Sequence, residues 1–403
     1  MLGIRRVAIS WAIWFAPCLL FGQGAGPQLT TLCDLIYSGP PNGFAFGPGG
    51  AIYGAAGGGI SGDGTIVQLA PPPSGTGAWT ETIVYEFTDQ AGDGRGPNGN
   101  LAVGADGTLY GTTVEGGTGE YGTVFELVPP ATVGGAWVET VLYRFTGGSD
   151  GGWPYAGLAI DSKGVLFGTT YLGTLFALAP PRSAGEWSFS VLSGVSWGLG
   201  ALTIGPGGTL YGTTFGGEGQ SIYDVVPPAS EGDTWTWNGL LLLSGNNGSN
   251  PIAPLLMASN YTLFAAAGGG PDGAGVVFQL SPDGPPPGEA WTQAILYSFP
   301  GTGSNGSQPS SALVLSREGL LYGATSEGGV KNSACKSGCG TIFQLRPPAA
   351  PGGNWTEVVV YRFQGGADGS SPYSLMLGSD GNLYGLTLAG GASGDGTLFR
   401  LGI

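Results

Sequence analysis

From position 29 onward the chain alternates short apolar pieces with glycine-rich breaks, and no stretch keeps helical spacing. One unit sets the pattern. Residues 100–105 form a first strand-like piece, turned at Asp106-Gly107. Residues 108–114 form a second, followed by a glycine-rich loop. Residues 123–128 form a third, stopped by Pro129-Pro130, and residues 137–145 form a fourth. Asp-Gly between apolar pieces is a hairpin signal, because its second residue must reach positive φ. The prolines fall between strands, where no ladder N–H is lost. All neighbouring pieces are therefore expected to be antiparallel.

The unit recurs. Triplets of the Leu-Tyr-Gly kind centre on Tyr53, Tyr110, Phe167, Tyr211, Phe264, Tyr322 and Tyr384, spaced 57, 57, 44, 53, 58 and 62 residues apart. Seven copies of four antiparallel strands predict an all-β, seven-bladed β-propeller of four-stranded antiparallel blades. The phase of the two ends sharpens this. The chain stops after a third-type strand, residues 397–401. An unmatched piece at 29–37 has the character of a fourth: Leu35-Ile36-Tyr37 parallels Val141-Leu142-Tyr143. The propeller is thus expected to be closed by an N-terminal strand, which removes an exposed edge.

Leu109-Tyr110-Gly111-Thr112-Thr113, Gly116-Gly117 and Gly122-Thr123-Val124-Phe125-Glu126-Leu127 resemble the Gloeo-Verruco (GloVer) tandem repeat of bacterial secreted proteins. The resemblance is fullest in the first, second, sixth and seventh copies. In the third, Gly173 follows Tyr171 almost without a loop, and in the fifth Ala265-Ala266-Ala267 replaces Gly-Thr-Thr. It implies export and brings no activity or functional residues with it.

Composition changes the picture in three ways. Twelve basic residues against 27 acidic ones leave a formal charge of -15, which repels phosphate backbones, so no nucleic acid partner is expected. The chain has no histidine, which removes Ser-His-Asp and Cys-His catalysis and His-ligated zinc. No cofactor or metal is expected, although an enzyme working with two carboxylates needs no histidine. At the N-terminus, Arg5 and Arg6 precede an apolar run at 7–21 that contains Pro17, then Gly22, Gly24, Ala25 and Gly26. That run is short for a membrane span and reads as a secretory signal peptide over residues 1–24, with the propeller over 25–403. The protein is expected in the extracellular space, the periplasm or at the outer cell surface, as a monomer with no membrane insertion after signal removal.

An oxidising compartment favours a disulfide between Cys335 and Cys339, inside the longest loop between second and third strands. Cys33 is then expected as a buried free thiol. Trp79, Trp137, Trp187, Trp235, Trp291 and Trp355 open the fourth strand in six copies and are expected to cap the space between blades. Asp-Gly or Asn-Gly pairs in the loops between copies, Asp150-Gly151 among them, read first as turns.

Side chains that break the repeat are better binding candidates, because packing does not demand them. Trp153 and Trp197 break it on the face that carries the long loops, and Tyr155 follows Trp153 closely. Flat rings with a carboxylate such as Asp150 suit the faces and hydroxyls of sugars. The expected partner is an extracellular glycan or protein. Three functions stand open: a non-catalytic binding module, a carboxylate-dependent carbohydrate-active enzyme, and a structural or adhesive surface protein.

Overall fold

The computed structural model describes residues 27–403 apart from 37–40, 60, 74–76, 89, 91, 133, 183–184, 195–197, 216–219, 231–232, 252, 285–289, 303 and 351. The expected signal peptide lies outside the described residues, as does Trp197. Seven antiparallel sheets follow one another along the chain, each with four strand positions running from the axis outward. In blade two these are Gly94–Val103, Leu109–Gly116, Thr123–Val128 and Val138–Arg144. In blades four and six the innermost position is split between two short strands. Among the described residues the helical content is three short 3-10 turns, and no helix is long and apolar enough to cross a membrane.

Closure follows the expectation from the chain ends. Leu29–Asp34 pairs antiparallel with Thr397–Leu401, from Leu29 opposite Leu401 to Asp34 opposite Thr397, and forms the outer strand of blade seven. Gly402 N donates to Gln28 O (3.3 Å) and extends the pairing. The first strand of the chain and the last therefore complete one sheet, and the edge of an open array disappears.

Each letter of the repeat has a contact that explains it. The third-strand Phe125 lies over Gly111, where an added Cβ would come within 2.5 Å of the ring. Gly122, with φ +88°, sits against Pro154 of the next blade, again too close for a side chain. The threonines bond across the second and third strands: Thr113 to Thr123 (2.8 Å), Thr325 to Thr341 (2.8 Å) and Thr387 to Thr397 (3.0 Å). A register shift between the third and outer strands recurs in all seven blades, as at Val124/Phe125 and Thr31/Cys33. Such bulges add local twist.

The core is divided among the blade joints. Phe87 meets Phe125 (5.1 Å between ring centroids), Phe145 meets Phe176 (5.3 Å), Phe299 meets Phe343 (5.2 Å) and Phe363 meets Phe399 (5.2 Å), all edge to face. Nearer the opposite face, each of the six tryptophans that lead into an outer strand meets the Leu-Tyr-Gly aromatic of the blade before it. The pairs are Tyr53–Trp137, Tyr110–Trp187, Phe167–Trp235, Tyr211–Trp291, Phe264–Trp355 and, across the closure, Tyr384–Trp79, at 5.6 to 6.4 Å. The six tryptophans cap the joints, as their spacing predicted.

Cys335 and Cys339 form a disulfide with Cα atoms 5.0 Å apart. Cys33 corrects an expectation: it is disulfide-bonded, not a free thiol.

Candidate functional site

The loops entering each blade share one face with the loops between second and third strands. On that face a recurring device sets the rim of the axis. The residue before the blade-entry proline takes positive φ in five blades: Gly96 (65°), Trp153 (55°), Asn250 (46°), Gln308 (56°) and Ser371 (52°). Its N–H reaches back to the preceding blade. Trp153 N donates to Tyr121 O (2.8 Å), Gln308 N to Ala274 O (2.7 Å) and Ser371 N to Cys339 O (2.9 Å), while Asn250 N donates to the Gln220 side chain (2.6 Å). Glycine adopts this backbone without strain, and asparagine readily. A bulky indole does not.

Below the rim, hydroxyls stitch neighbouring blades at the channel wall. Thr112 donates to Ala156 O (3.3 Å), Thr169 to Gly200 O (3.1 Å), Thr203 to Leu255 O (2.6 Å), Ser310 to Pro372 O (2.6 Å) and Tyr373 to Pro41 O. Gly99 and Gly157 bring backbone against backbone, with no room for a Cβ. What remains at the axis is a cavity of about 270 Å³, walled by Asn42, Asn98, Asn100, Tyr155, Ala201 and Pro254 among others. The wall carries three amide side chains and one aromatic ring.

Two of the sequence-predicted residues meet here. Trp153 and Tyr155 flank the ring of Tyr171, at 6.5 and 5.8 Å, and Trp153 also lies 5.5 Å from Tyr121. Tyr155 and Tyr171 are 48% and 51% exposed, so this patch beside the cavity is open to solvent. Trp153 Nε1 donates to Glu120 O (3.2 Å), which fixes the indole, while Arg95 pairs with Glu115 and Glu120 at the patch edge. Trp197 lies outside the described residues. Its sequence position matches that of Trp153, since Trp197 precedes Leu202 by the same interval as Trp153 precedes Leu158.

Asp150 belongs to the loop that leads into Trp153. It is buried, and its carboxylate accepts from Thr146 N (2.9 Å), Thr146 Oγ1 (2.6 Å) and Tyr143 OH (3.0 Å). Burial works against its charge, but these bonds hold it below the usual carboxylate range. It shapes the loop that presents Trp153, and Asp368 does the same with Gln364 N and Tyr361 OH (2.9 Å each). Sequence reasoning missed Tyr121 and Tyr171. The rule that singled out Trp153, an aromatic where other copies carry small loop residues, finds them too.

It also missed a set of acids, one buried and two half-buried, two residues after the joint tryptophans. Glu81, Glu139 and Glu357 occupy this position in blades one, two and six. Burial pushes Glu81 and Glu139 up to about 7, with a backbone bond from Ile36 N (3.0 Å) restraining Glu81 and the Asp93 charge adding to Glu139. Burial raises Glu357 as well, eased by Arg362. Oε1 of Glu139 and of Glu357 meets no hydrogen-bond partner among the described residues. The three acids lie in three different joints, away from the aromatic patch.

These features define a closed seven-bladed propeller with a small axial cavity and an aromatic patch on its loop-bearing face. The chain belongs to the Gloeobacter/Verrucomicrobia repeat family, whose model matches residues 29–226 and 198–403. No curated protein matches the chain. Among solved structures it is similar to a streptogramin B lyase (12% identity, TM-score 0.54, covering 93% of this chain and 96% of that one). A catalytically inactive His-to-Ala variant of virginiamycin B lyase from Staphylococcus aureus, solved with quinupristin, is as similar (12%, TM-score 0.54, 93% and 99%). So is a protein from Lactobacillus plantarum (15%, TM-score 0.54, 87% and 98%). At these identities the likeness is one of fold.

Proposed function

We propose that the protein is an exported, non-catalytic binding module that holds an extracellular glycan on the Trp153–Tyr155–Tyr171 patch, beside the axial cavity. One observation carries this reading. Trp153 is held at positive φ where other blades place Gly, Asn, Gln or Ser, a conformation that costs a bulky residue about 1 kcal/mol or more. The ring it presents lies against Tyr121 and against Tyr171, which is half exposed. Strain retained at a solvent-open aromatic patch points to recognition. Aromatic faces suit sugar C–H surfaces, and Asn98, Asn100 and Asn42 at the cavity wall suit sugar hydroxyls. Export rests on the N-terminal pattern and on the disulfide.

Catalysis is not part of the reading. The inactive lyase variant lost a histidine, and this chain contains none. The one sequence-predicted carboxylate near the patch, Asp150, is occupied by its own loop.

A glycan array probed with the exported protein tests the proposal. At least one neutral oligosaccharide should bind, and Trp153→Ala, Tyr155→Ala and Tyr171→Ala should each weaken it about tenfold, the effect of ~1.4 kcal/mol. Binding that survives all three substitutions, or an array with no hits, would sink it.

A further inference from the structure

The axial cavity is built from five blades. Asn42 comes from blade one, Asn98 and Asn100 from blade two, Tyr155 from blade three, Ala201 from blade four and Pro254 from blade five. Its wall is sealed between these blades. Gly43 and Gly157 lie against Asn100 too closely for a side chain. The bonds from Thr112 to Ala156 O, Thr169 to Gly200 O and Thr203 to Leu255 O join blades two to five. In those blades the next residue of the chain, Leu101, Leu158, Leu202 or Leu255, is buried in a blade joint. A chain molecule crossing the patch therefore cannot pass through the cavity and leave between blades.

Two properties narrow what fits. The volume, about 270 Å³, lies below the roughly 300–1,000 Å³ of pockets for drug-sized ligands, so there is room for one sugar ring and not for two. The second property is chemical. No charged side chain lines the cavity. Among the described residues the Asn42 and Asn100 side chains make no hydrogen bond, and Asn98 uses only Oδ1, on Gly99 N (2.8 Å). Such amides offer a hydroxyl both donors and acceptors. A carboxylate or sulfate would lose water there with no cation to replace it, in a chain of formal charge -15.

We propose, resting on the glycan reading of the patch, that the cavity receives the non-reducing end of the glycan as one neutral, hydroxyl-rich terminal sugar. The units behind it cross the patch. Tyr155 belongs to both surfaces, lining the cavity and lying 5.8 Å from Tyr171, so it stands where the path turns inward. Glycans on a surface are attached through their reducing ends, so the end free to enter the cavity is the non-reducing one. The protein thus recognises chain ends rather than chain interiors, and rejects ends that carry a negative charge.

The test is an array of oligosaccharides printed through their reducing ends, with the terminal sugar varied over a constant interior and the interior varied under a constant terminus. Bound glycans should share one neutral terminal sugar. Trimming that sugar with an exoglycosidase, or capping it with sialic acid, should each lower binding at least tenfold. Ala201→Phe fills the cavity and should abolish binding. Asn42→Ala combined with Asn100→Ala should weaken it about tenfold, the effect of ~1.4 kcal/mol. Both asparagines are exposed, so the double variant folds and carries the test if Ala201→Phe does not. Binding that ignores the terminal sugar, prefers an acidic one, or persists in the double variant would overturn end recognition and leave the patch standing. Absence of binding, or binding that Trp153→Ala, Tyr155→Ala and Tyr171→Ala all leave unchanged, would overturn the patch and the cavity together.

Discussion

The joint between blades one and two and the joint between blades five and six share most of their parts and differ at the loop residue between the blades. Each has a tyrosine near the end of an outer strand, Tyr85 or Tyr297. Each has a half-buried glutamate across from it, Glu139 or Glu357. Each has an arginine whose Nε donates to the loop between the blades, Arg144 to Gly92 O (2.9 Å) and Arg362 to Ser304 O (3.0 Å). Between them sits Asp93 in the first joint and Asn305 in the second. Asp93 accepts from Gly94 N (2.7 Å) and Thr88 N (3.1 Å) and adds a negative charge beside Glu139. Asn305 Nδ2 instead donates to Tyr297 OH and to Glu357 Oε2 (3.4 Å each). Burial raises both glutamates; the Asp93 charge adds to the rise at Glu139, while Arg362 and a bond from Tyr297 ease it at Glu357, where Asn305 donates to the carboxylate instead of repelling it. Near-isosteric exchange thus keeps the parts of the joint in place and changes the electrostatic surroundings of an acid in the adjoining blade.

The largest expected effect tests whether the two joints are equal in packing. Trp137→Ala and Trp355→Ala each remove a half-buried indole, from Tyr53 and from Phe264. Each should cost about 3 kcal/mol in urea unfolding. The two costs should agree within ~1 kcal/mol, because the seal is the same. A difference much larger than that would show that the joints differ by more than their charges.

Next comes pH. A carboxyl raised to about 7 in the folded state and titrating near 4.5 when unfolded keeps its proton longer when folded. Between those values the folded chain binds more protons, so stability falls as pH rises from 4.5 to 7 and levels off above. For Glu81 and Glu139 together this should amount to about 4 kcal/mol, most of it from the buried Glu81, with the share of Glu139 discounted for the solvent that reaches it. Glu139→Gln should flatten the fall visibly and Glu357→Gln less so. Equal flattening by the two would break the comparison. Stability that rises through this window would contradict the burial of both acids.

The fold was legible because each recurring residue makes one contact that no other residue type makes as well. Gly111 admits Phe125, Thr113 bonds Thr123, and the tryptophans close the joints. Closure was legible because the phase of two chain ends has one solution. Trp153 was legible as a break in that regularity. Its backbone conformation was not, since positive φ at that position is set by the link back to Tyr121 O, a contact between blades. The acids were invisible for the same reason. Trp-x-Glu can be read in three copies, but the burial and the neighbouring charge come from a loop more than forty residues away in sequence. Cys33 was misread because the expectation counted its strand's burial and left out its bonding.

The smallest effect is the most specific. Exchanging the differing residue, Asp93→Asn and Asn305→Asp, should shift stability by only a few tenths of a kcal/mol while moving the two glutamates in opposite directions. The readout is carboxyl ¹³C chemical shift against pH. Asp93→Asn removes a like charge from beside Glu139, so its midpoint should fall. Asn305→Asp adds such a charge beside Glu357 and also withdraws the amide that donates to its Oε2, so its midpoint should rise. Two changes act together at Glu357 and one at Glu139, and the second shift should therefore be the larger. Arg144 beside Glu139 and Arg362 beside Glu357 each favour the ionised form at their own site. If neither midpoint moves, burial alone sets both acids, and the aspartate and asparagine are turn residues with no reach into the next blade.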